Sequence, residues 1–271
     1  MKNEHLVSII MASYNSEKLI IETINSVLAQ TYNNWELLIT DDCSDDSTWD
    51  IIENFSITDK RILVDRNKIN EGAAVSRNNS ILKSKGRFIA FLDSDDIWYP
   101  KKLEIQLDFM ISNNNVFSFS AFDVRNHKKK YLYTKNIPER PVSFNYLLSY
   151  NVIGCLTVVY DTSYLGKMLM PDLLRRQDYG LWLKILKKIK FSKGINKPLA
   201  CYTKSEDSLS SNKFKLLKYN FFIYYKVLNF SFVYSVFLFT KFISLYIYYN
   251  FLCNTYRKVY RDNNLNQFFI E

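Results

Sequence analysis

Two rhythms of hydrophobic and polar positions alternate along this chain. Short apolar runs end in polar clusters, and each run is followed by apolar residues at helical spacing. Leu6 to Met11 is the first run, ending in Ala12-Ser13-Tyr14-Asn15; it predicts a buried strand feeding a loop. Ser16 to Gln30 then carries Leu19, Ile20, Thr23, Ile24, Val27 and Leu28 on a helical face, with Ser16 placed as the cap. The rhythm repeats. Strands over Trp35–Thr40, Arg61–Asp65 and Arg87–Leu92 alternate with helices over Asp46–Phe55, Glu71–Ser84 and Tyr99–Ile111, the last with Pro100 in its first turn. That order predicts βαβ units around a parallel sheet.

The polar residues gather where strands end. Asn15 follows the first strand, Asp41 and Asp42 the second, and Asp93 to Asp96 the fourth. Open α/β sheets bind ligands at the carboxyl ends of their strands. Acids scattered over a solvated surface would not track those ends, so the pattern points to a site.

After residue 115 the pattern changes. Strands are predicted over Val116–Val124, Lys130–Thr134, Cys155–Tyr160 and Pro198–Thr203, and helices over Phe144–Tyr150 and Asp178–Lys188. In the last helix Leu181, Trp182, Ile185 and Leu186 face inward, which makes Trp182 a core residue before a sugar platform. From Phe214 the chain is dense in aromatics, and between Val227 and Tyr256 its only charged residue is Lys241. The uncharged runs fall short of the roughly 20 residues of a spanning helix. Lys213, Lys215, Lys218, Lys226, Arg257, Lys258 and Arg261 flank them. Three arrangements fit this tail: helices lying in a membrane interface, a helical pair packed on the protein or on a second copy, or a span.

Composition narrows the classes. With 271 residues, 48% of them hydrophobic, the chain has material for one large core and is not disordered. The net charge of +9 suits an anionic partner, although biased base composition of the gene would give the same excess of Lys beside Asn, Ile, Phe and Tyr. Outside the tail the basic residues do not interleave with aromatics in one stripe, which argues against nucleic acid. Cys43, Cys155, Cys201 and Cys253 are far apart, with no CxxC spacing. That favours reduced thiols over a zinc site or a disulfide framework. The first apolar run is too short for a signal peptide, so the catalytic part is expected on the cytosolic side.

Gly86 to Asp96 reads GRFIAFLDSDD. Asp93 and Asp95, one residue apart at a strand end, can together face a divalent cation and a ribose. Sugar transfer from a nucleotide diphosphate calls for such a pair, because the leaving diphosphate gains negative charge that a cation stabilises. By itself Asp-x-Asp occurs in many surface loops. Five further stretches supply context. Val7 to Asn15 looks like an opening strand, followed by Ser26-Val27-Leu28-Ala29-Gln30-Thr31-Tyr32 and Trp35-Glu36-Leu37-Leu38-Ile39. Asp41 to Thr48 reads like a D-D-G-S-x-D-x-T loop, and Asn67, Asn70, Gly72 and Ser76-Arg77-Asn78 like an N-x-G-x-x-x-A-R-N passage.

In this order the motifs resemble glycosyltransferase family 2, the inverting enzymes of the GT-A fold, over roughly residues 6 to 210. The resemblance implies roles. Asp42, with Asp41 beside it, matches the acid that reads the nucleotide base, and Ala12, Tyr14 and Asn15 line base and ribose. Arg77 faces the diphosphate and Asn78 supports its loop. Asp93, Ser94 and Asp95 meet the nucleotide sugar, and Asp95, with Asp93, is the ligand of Mn2+ or Mg2+. Arg176-Gln177-Asp178-Tyr179-Gly180-Leu181-Trp182-Leu183 is similar to the family's E-D-Y-x-L-W-L pattern, which makes Asp178 the general base. Two departures stand out. Gln177 replaces the first acid of that pattern. The family's Y-R-x-H passage is replaced by Tyr202-Thr203-Lys204-Ser205, so neither His5 nor His127 takes a role, and Lys204 or Lys213 is left to offset diphosphate charge.

The implied architecture is a GT-A domain over 1–212, with a nucleotide-sugar half at 1–97 and an acceptor half at 98–212, followed by a membrane-associated helical region at 213–271. The implied donor is a UDP-sugar. The implied acceptor is a polyprenyl diphosphate-linked saccharide of O-antigen or capsule assembly, met at the cytoplasmic face of the inner membrane, with a homodimer through the tail as an option. Two other readings stay open. A nucleotidyltransferase also uses paired carboxylates, but Met11-Ala12-Ser13-Tyr14 is not a Gly-rich or basic phosphate loop. A nucleotide-sugar or membrane-binding protein without transferase activity is kept open by Gln177.

Overall fold

A computed structural model describes residues 5–204 and 213–260. The first half runs β1 (Val7–Ser13), α1 (Ile20–Leu28), β2 (Trp35–Asp41), α2 (Thr48–Thr58), β3 (Ile62–Arg66), α3 (Ala73–Lys83), β4 (Phe88–Phe91), β5 (Ile97–Trp98) and α4 (Lys102–Ser112). It continues through β6 (Phe117–Ser118), β7 (Ser120–Asn126), β8 (Tyr131–Lys135), β9 (Val142–Ser143), α5 (Phe144–Ser149), β10 (Val159–Asp161), α6 (Thr162–Leu165) and α7 (Gln177–Ile189). Then follow β11 (Phe191–Ser192), β12 (Ile195–Lys204), α8 (Lys213–Phe222) and α9 (Phe232–Tyr260).

Six strands form the main sheet in the order β3-β2-β1-β4-β10-β6. The first four are parallel, as the alternating pattern predicts, and β10 and β6 add antiparallel pairs at one side. A second sheet, β5-β12-β7-β8, stands beside the ends of β1 and β4. Both faces of the main sheet are covered. Val7, Ile9 and Met11 of β1 pack into one core with Leu37, Ile39 and α1, while Ile10 joins Leu38, Ile89, Phe91 and α7 in the other. A strand buried on both faces is read from its unbroken apolar run.

Local differences from the predicted elements have identifiable causes. Ser16 does not cap α1 with its side chain. Its hydroxyl donates to the Tyr14 carbonyl (3.1 Å) and meets Ser94 Oγ (2.7 Å), while the Ser16 carbonyl accepts the Leu19 and Ile20 N–H groups. Pro100 precedes α4 instead of sitting within it. The segment predicted as a strand from Cys155 begins as a 3-10 turn over Cys155–Thr157, because the Gly154 carbonyl accepts both the N–H (3.0 Å) and the hydroxyl (2.7 Å) of Thr157. The single strand predicted over 116–124 turns a corner at Phe119, so that β6 serves the main sheet and β7 the second.

The aromatic tail packs partly on the fold. A π-helical turn over Ile223–Val227 follows α8, and Tyr224 donates its hydroxyl to the Leu148 carbonyl (2.8 Å). Ile223, Tyr224, Leu228 and Leu238 enter the same core as Tyr179, Leu181 and Trp182. The opposite face of α9 leaves Phe232, Val233 and Phe237 exposed, with Lys218 and Lys226 exposed nearby in sequence. No helix among the described residues is long and apolar enough to cross a membrane. The side chains of Lys213, Lys215, Arg257 and Lys258, together with Arg261, lie outside the described residues.

Lys102, at the start of α4, is fully buried. Its ammonium donates to Gln106 Oε1 (2.8 Å) and lies 4.1 Å from the centre of the Trp98 ring. Gln106 passes the chain on, donating from Nε2 to Ser118 Oγ and to the Thr157 carbonyl. Burial depresses the Lys102 pKa to about 7 from an ordinary 10.5. Between those values the unfolded chain holds a proton that the folded chain does not, so stability rises with pH from about 7 to 10.5. Lys102→Met is expected to stabilise the fold by on the order of 1–3 kcal/mol at and below neutral pH. The gain should shrink toward pH 10, and denaturant titrations at pH 6, 8 and 10 read it directly; a gain independent of pH would contradict the burial of a charged lysine.

Candidate active site

The parallel strands bring three loops to one edge of the sheet. After β1 the chain runs through Tyr14 and Asn15, with Asn15 in a left-handed conformation (φ 46°). After β2, Asp41 is wholly buried and works as a clasp. It accepts from the N–H of Ser44 (2.9 Å) and from the hydroxyls of Ser44 and Ser13, and it faces Arg66 Nε at 3.4 Å. Ser44 Oγ in turn accepts the Asn15 N–H (3.0 Å), and Asn15 Oδ1 accepts the Asp45 N–H (2.9 Å). The β1 and β2 loops are thereby fastened to each other.

Asp42 fastens the third loop. Its carboxylate accepts from Asn67 Nδ2 (2.8 Å) and from the N–H groups of Glu71 (2.9 Å) and Gly72 (2.7 Å), just before α3. Gly72 has φ 90°, a conformation that strains any side-chain-bearing residue. A carboxylate has about four lone-pair sites, so three donors leave Asp42 one for a ligand.

From α3, Arg77 reaches across to form a buried ion pair with Asp93 at the end of β4. Burial works against its charge, but Asp93, together with Cys155 and Asp178 nearby, holds the guanidinium pKa above its ordinary value. Two residues on, burial and the Asp93 charge push the Asp95 carboxyl up to about 6. Asp96 is buried and accepts the Thr203 N–H (2.9 Å), which ties the acidic loop to β12. Burial, with Asp95 and Asp93 beside it, raises the Asp96 pKa well above the carboxylate range.

Asp178 lies in the first turn of α7, behind Arg176, whose backbone is left-handed (φ 58°, ψ 22°). Burial raises the Asp178 pKa. The Tyr179 N–H and the charges of Arg77 and Arg176 oppose the rise, and Asp93 adds to it.

These elements enclose a cavity of about 860 Å³. Ala12, Tyr14, Asn15, Asp42, Arg77, Asp93, Ser94, Asp95 and Asp178 all line it. Asp41 and Asn78 do not. Asp41 is spent on the loop clasp, and Asn78 exchanges hydrogen bonds with the backbone of Met170 (2.8 and 3.0 Å). Both stand behind the wall of this cavity and hold its loops. Trp182 is fully buried between Phe91 and Phe117, and neither His5 nor His127 reaches the cavity. The Lys204 side chain does not line it either, and that of Lys213 lies outside the described residues.

The cavity has walls that the sequence reading passed over. Phe122 and Val124 of β7 and Tyr133 and Lys135 of β8 line it, each pair two residues apart on one face of its strand. Arg175, Arg176 and Gln177 line it at the start of α7. The strand alternation was available as a signal; the pairing that brings β7 and β8 to the loops of the main sheet was not.

The donor set suits a hard cation only in part. Among the described residues no group of three His, Cys, Asp or Glu side chains is arranged to hold a metal ion. Asp95 makes no ion pair there, and Asp93 has Arg77 alone against its charge. Two carboxylates with excess negative charge at a cavity wall fit a cation whose shell is completed by phosphate oxygens, as Mg2+ and related ions require.

Known proteins are similar to this chain in sequence and fold. A family model described as "Glycosyl transferase family 2" matches residues 8–162. The chain is 45% identical over 218 residues to an Escherichia coli protein named UDP-Glc:alpha-D-GlcNAc-diphosphoundecaprenol beta-1,3-glucosyltransferase WfgD, covering 80% of this chain and 84% of that one. A second E. coli protein with the same activity in its name, WfaP, is 39% identical over 78% of this chain and 82% of its own. The crystal structure of S. aureus TarS 1-349 in complex with UDP-GlcNAc has the same fold, with a TM-score of 0.65 at 20% identity over 88% of this chain and 71% of that one.

Cys43 stands in the clasp with φ 62°, where the similar D-D-G-S loops have glycine. A left-handed residue with a side chain costs about 1–2 kcal/mol. Cys43→Gly is therefore expected to raise stability by about 1 kcal/mol in thermal or denaturant unfolding, with UDP affinity kept; a loss of stability would show that the thiol contact to the Lys68 carbonyl (3.7 Å) matters more than the strain.

Proposed function

The chain belongs to glycosyl transferase family 2, and we propose that it transfers a sugar, with inversion, from a UDP-sugar to a hydroxyl of a diphosphate-lipid-linked saccharide in surface polysaccharide synthesis. The observation that carries this reading is the position of Asp178, which faces the same cavity as Asp93, Asp95 and Tyr14. The names of WfgD and WfaP supply the donor and acceptor classes.

The step is a single displacement. The acceptor hydroxyl oxygen attacks the anomeric carbon, the bond from that carbon to the diphosphate oxygen breaks, UDP leaves, and the hydroxyl proton passes to Asp178. Tyr14 and Asn15 hold the nucleoside with the remaining acceptor site of Asp42, while Asp41 and Asn78 position the loops behind them. Asp95, with Asp93, would hold Mn2+ or Mg2+, which stabilises charge on the departing diphosphate when bound. Arg77 already pairs with Asp93 in that corner. Gln177, in place of an acid, lines the cavity as a neutral hydrogen-bonding group and leaves proton transfer to Asp178 alone.

The exposed aromatic face of α9 and the lysines near it support a membrane-surface position, at the inner leaflet where lipid diphosphates are extended. Phe, Val and Tyr on one helix face with flanking lysines suit the interface. Phe237→Glu combined with Val233→Asp is expected to lower cosedimentation with anionic vesicles several-fold while the core face of α9 stays packed. Undiminished binding would move the tail to a second copy of the chain.

Two measurements test the chemistry. Release of UDP from a panel of UDP-sugars should need a divalent cation and rise with a short lipid-diphosphate sugar acceptor; release from none, by folded protein, would shift the reading to another donor or to a binding protein. Asp178→Asn is expected to lower kcat about 10²–10⁴-fold with UDP affinity little changed. Because Asp178 acts ionised and burial raises its pKa, activity should fall on acidification at a pH above the ordinary carboxylate value of 3.8. An acid limb at or below that value would remove Asp178 from the role.

A further inference from the structure

The cavity holds more cationic groups than the donor side uses. Arg77 belongs to the donor side, where β1 and β4 end, and it is paired with Asp93. Arg175 and Arg176 line the cavity from the start of α7; neither makes an ion pair among the described residues, and the Arg176 guanidinium lies 5.7 Å from the centre of the Tyr179 ring. Arg175 Nη1 and Arg176 Nε are buried without a hydrogen-bond partner. Buried donors are nearly always satisfied, and guanidinium groups left open at a cavity wall are completed by an anion that arrives there. The backbone adds a second sign. Arg176 is held left-handed, an uncommon state for a residue with a long side chain, and such strain concentrates at binding sites.

Position decides which anion. Arg176 is two residues before Asp178 and Arg175 three, so their Cα atoms lie within about 7 and 11 Å of that of the base. The base touches the acceptor hydroxyl, and the hydroxyl points at the anomeric carbon of the donor. The donor diphosphate lies beyond that carbon, toward Asp93 and Asp95. The anomeric end of a diphosphate-linked acceptor sugar, which carries its own phosphates, is the end away from the attacking hydroxyl, so in this reading it extends from Asp178 toward the start of α7. A flexible arginine side chain reaching back from residues 175 and 176 spans the length of one sugar ring. The planar guanidinium fork matches a pair of phosphate oxygens.

We infer that Arg175 and Arg176 form the binding site for the diphosphate of the acceptor, and that they set the acceptor sugar by its charged end against Asp178. This rests on the transfer to a diphosphate-linked sugar described above. The pair makes the enzyme selective for an anionic linkage at the reducing end of the acceptor, and a neutral glycoside of the same sugar lacks the anchor.

Two acceptors with the same sugar and alkyl chain test it, one linked through a diphosphate and one an uncharged glycoside. Arg175→Gln and Arg176→Asn are the variants; asparagine tolerates the left-handed backbone, so the second keeps the turn. The KM for the diphosphate acceptor is expected to rise at least tenfold in each variant, with the KM for the uncharged glycoside and the calorimetric affinity for UDP unchanged. A fall in UDP affinity would assign the arginines to the donor, and equal losses for both acceptors would make them structural; either overturns the inference. Calorimetry with the sugar-free alkyl diphosphate on UDP-saturated protein reads the site without turnover. Wild type should bind it and the double variant should not; no binding to wild type overturns the inference. If wild type binds the alkyl diphosphate yet transfers to neither acceptor, the arginine site stands and the transfer reading fails.

Discussion

A buried carboxylate has to be given hydrogen-bond donors, and that demand shapes the working edge of this molecule. Asp41, Asp42 and Asp96 are buried at the ends of β2 and β4, and each takes backbone N–H groups from a segment distant or adjacent in sequence. Asp41 folds the β2 loop over the β1 loop, Asp42 sets the start of α3, and Asp96 draws β12 to the acidic loop. If these acids were exposed, the loops would be free; because they are buried, each loop has one economical conformation. The cavity is the space that remains between loops so fixed. Its cavity-facing acids, Asp93 and Asp95, stand three residues and one residue before the structural Asp96.

That mixture explains what could be read from the sequence. The apolar runs of β1, β2 and β4 are plain because both faces of the sheet are covered, and polar residues at their ends mark the site through topology alone. A run of acids does not say which member faces inward. Asp41 and Asp42 are neighbours of the same type, yet one closes a clasp and the other also reaches the cavity, a difference set by Ser44, Asn67 and Gly72 from elsewhere in the chain. Arg77 looked like a residue for phosphate and is found on Asp93, a contact over 16 positions that no local pattern encodes. The β7–β8 wall was hidden for the same reason. Lys102 is the sharpest case: a lysine at a helix start reads as solvated, and only the packing of Trp98 and Gln106 around it shows otherwise.

The tail shows two faces of one sequence property. Its aromatic density suits an interface with lipid as well as a protein core, and the structure uses it for the core on one side. Tyr224 and Leu238 are part of the same packing as Trp182 on α7, the helix that carries Asp178. Helix α7 and the tail therefore pack into one core, which ties the orientation of α7 to that of the exposed aromatic face.

The Arg77–Asp93 pair has a further consequence. Before any substrate arrives, the acidic loop already has a resident cation, supplied by the protein itself. In the proposed reaction, binding a donor would be an exchange of partners, with Arg77 shared between Asp93 and the phosphates. Affinity measures the difference between two sets of contacts and not the sum of the new ones, so it should respond to added salt less steeply than the number of charges in the site suggests.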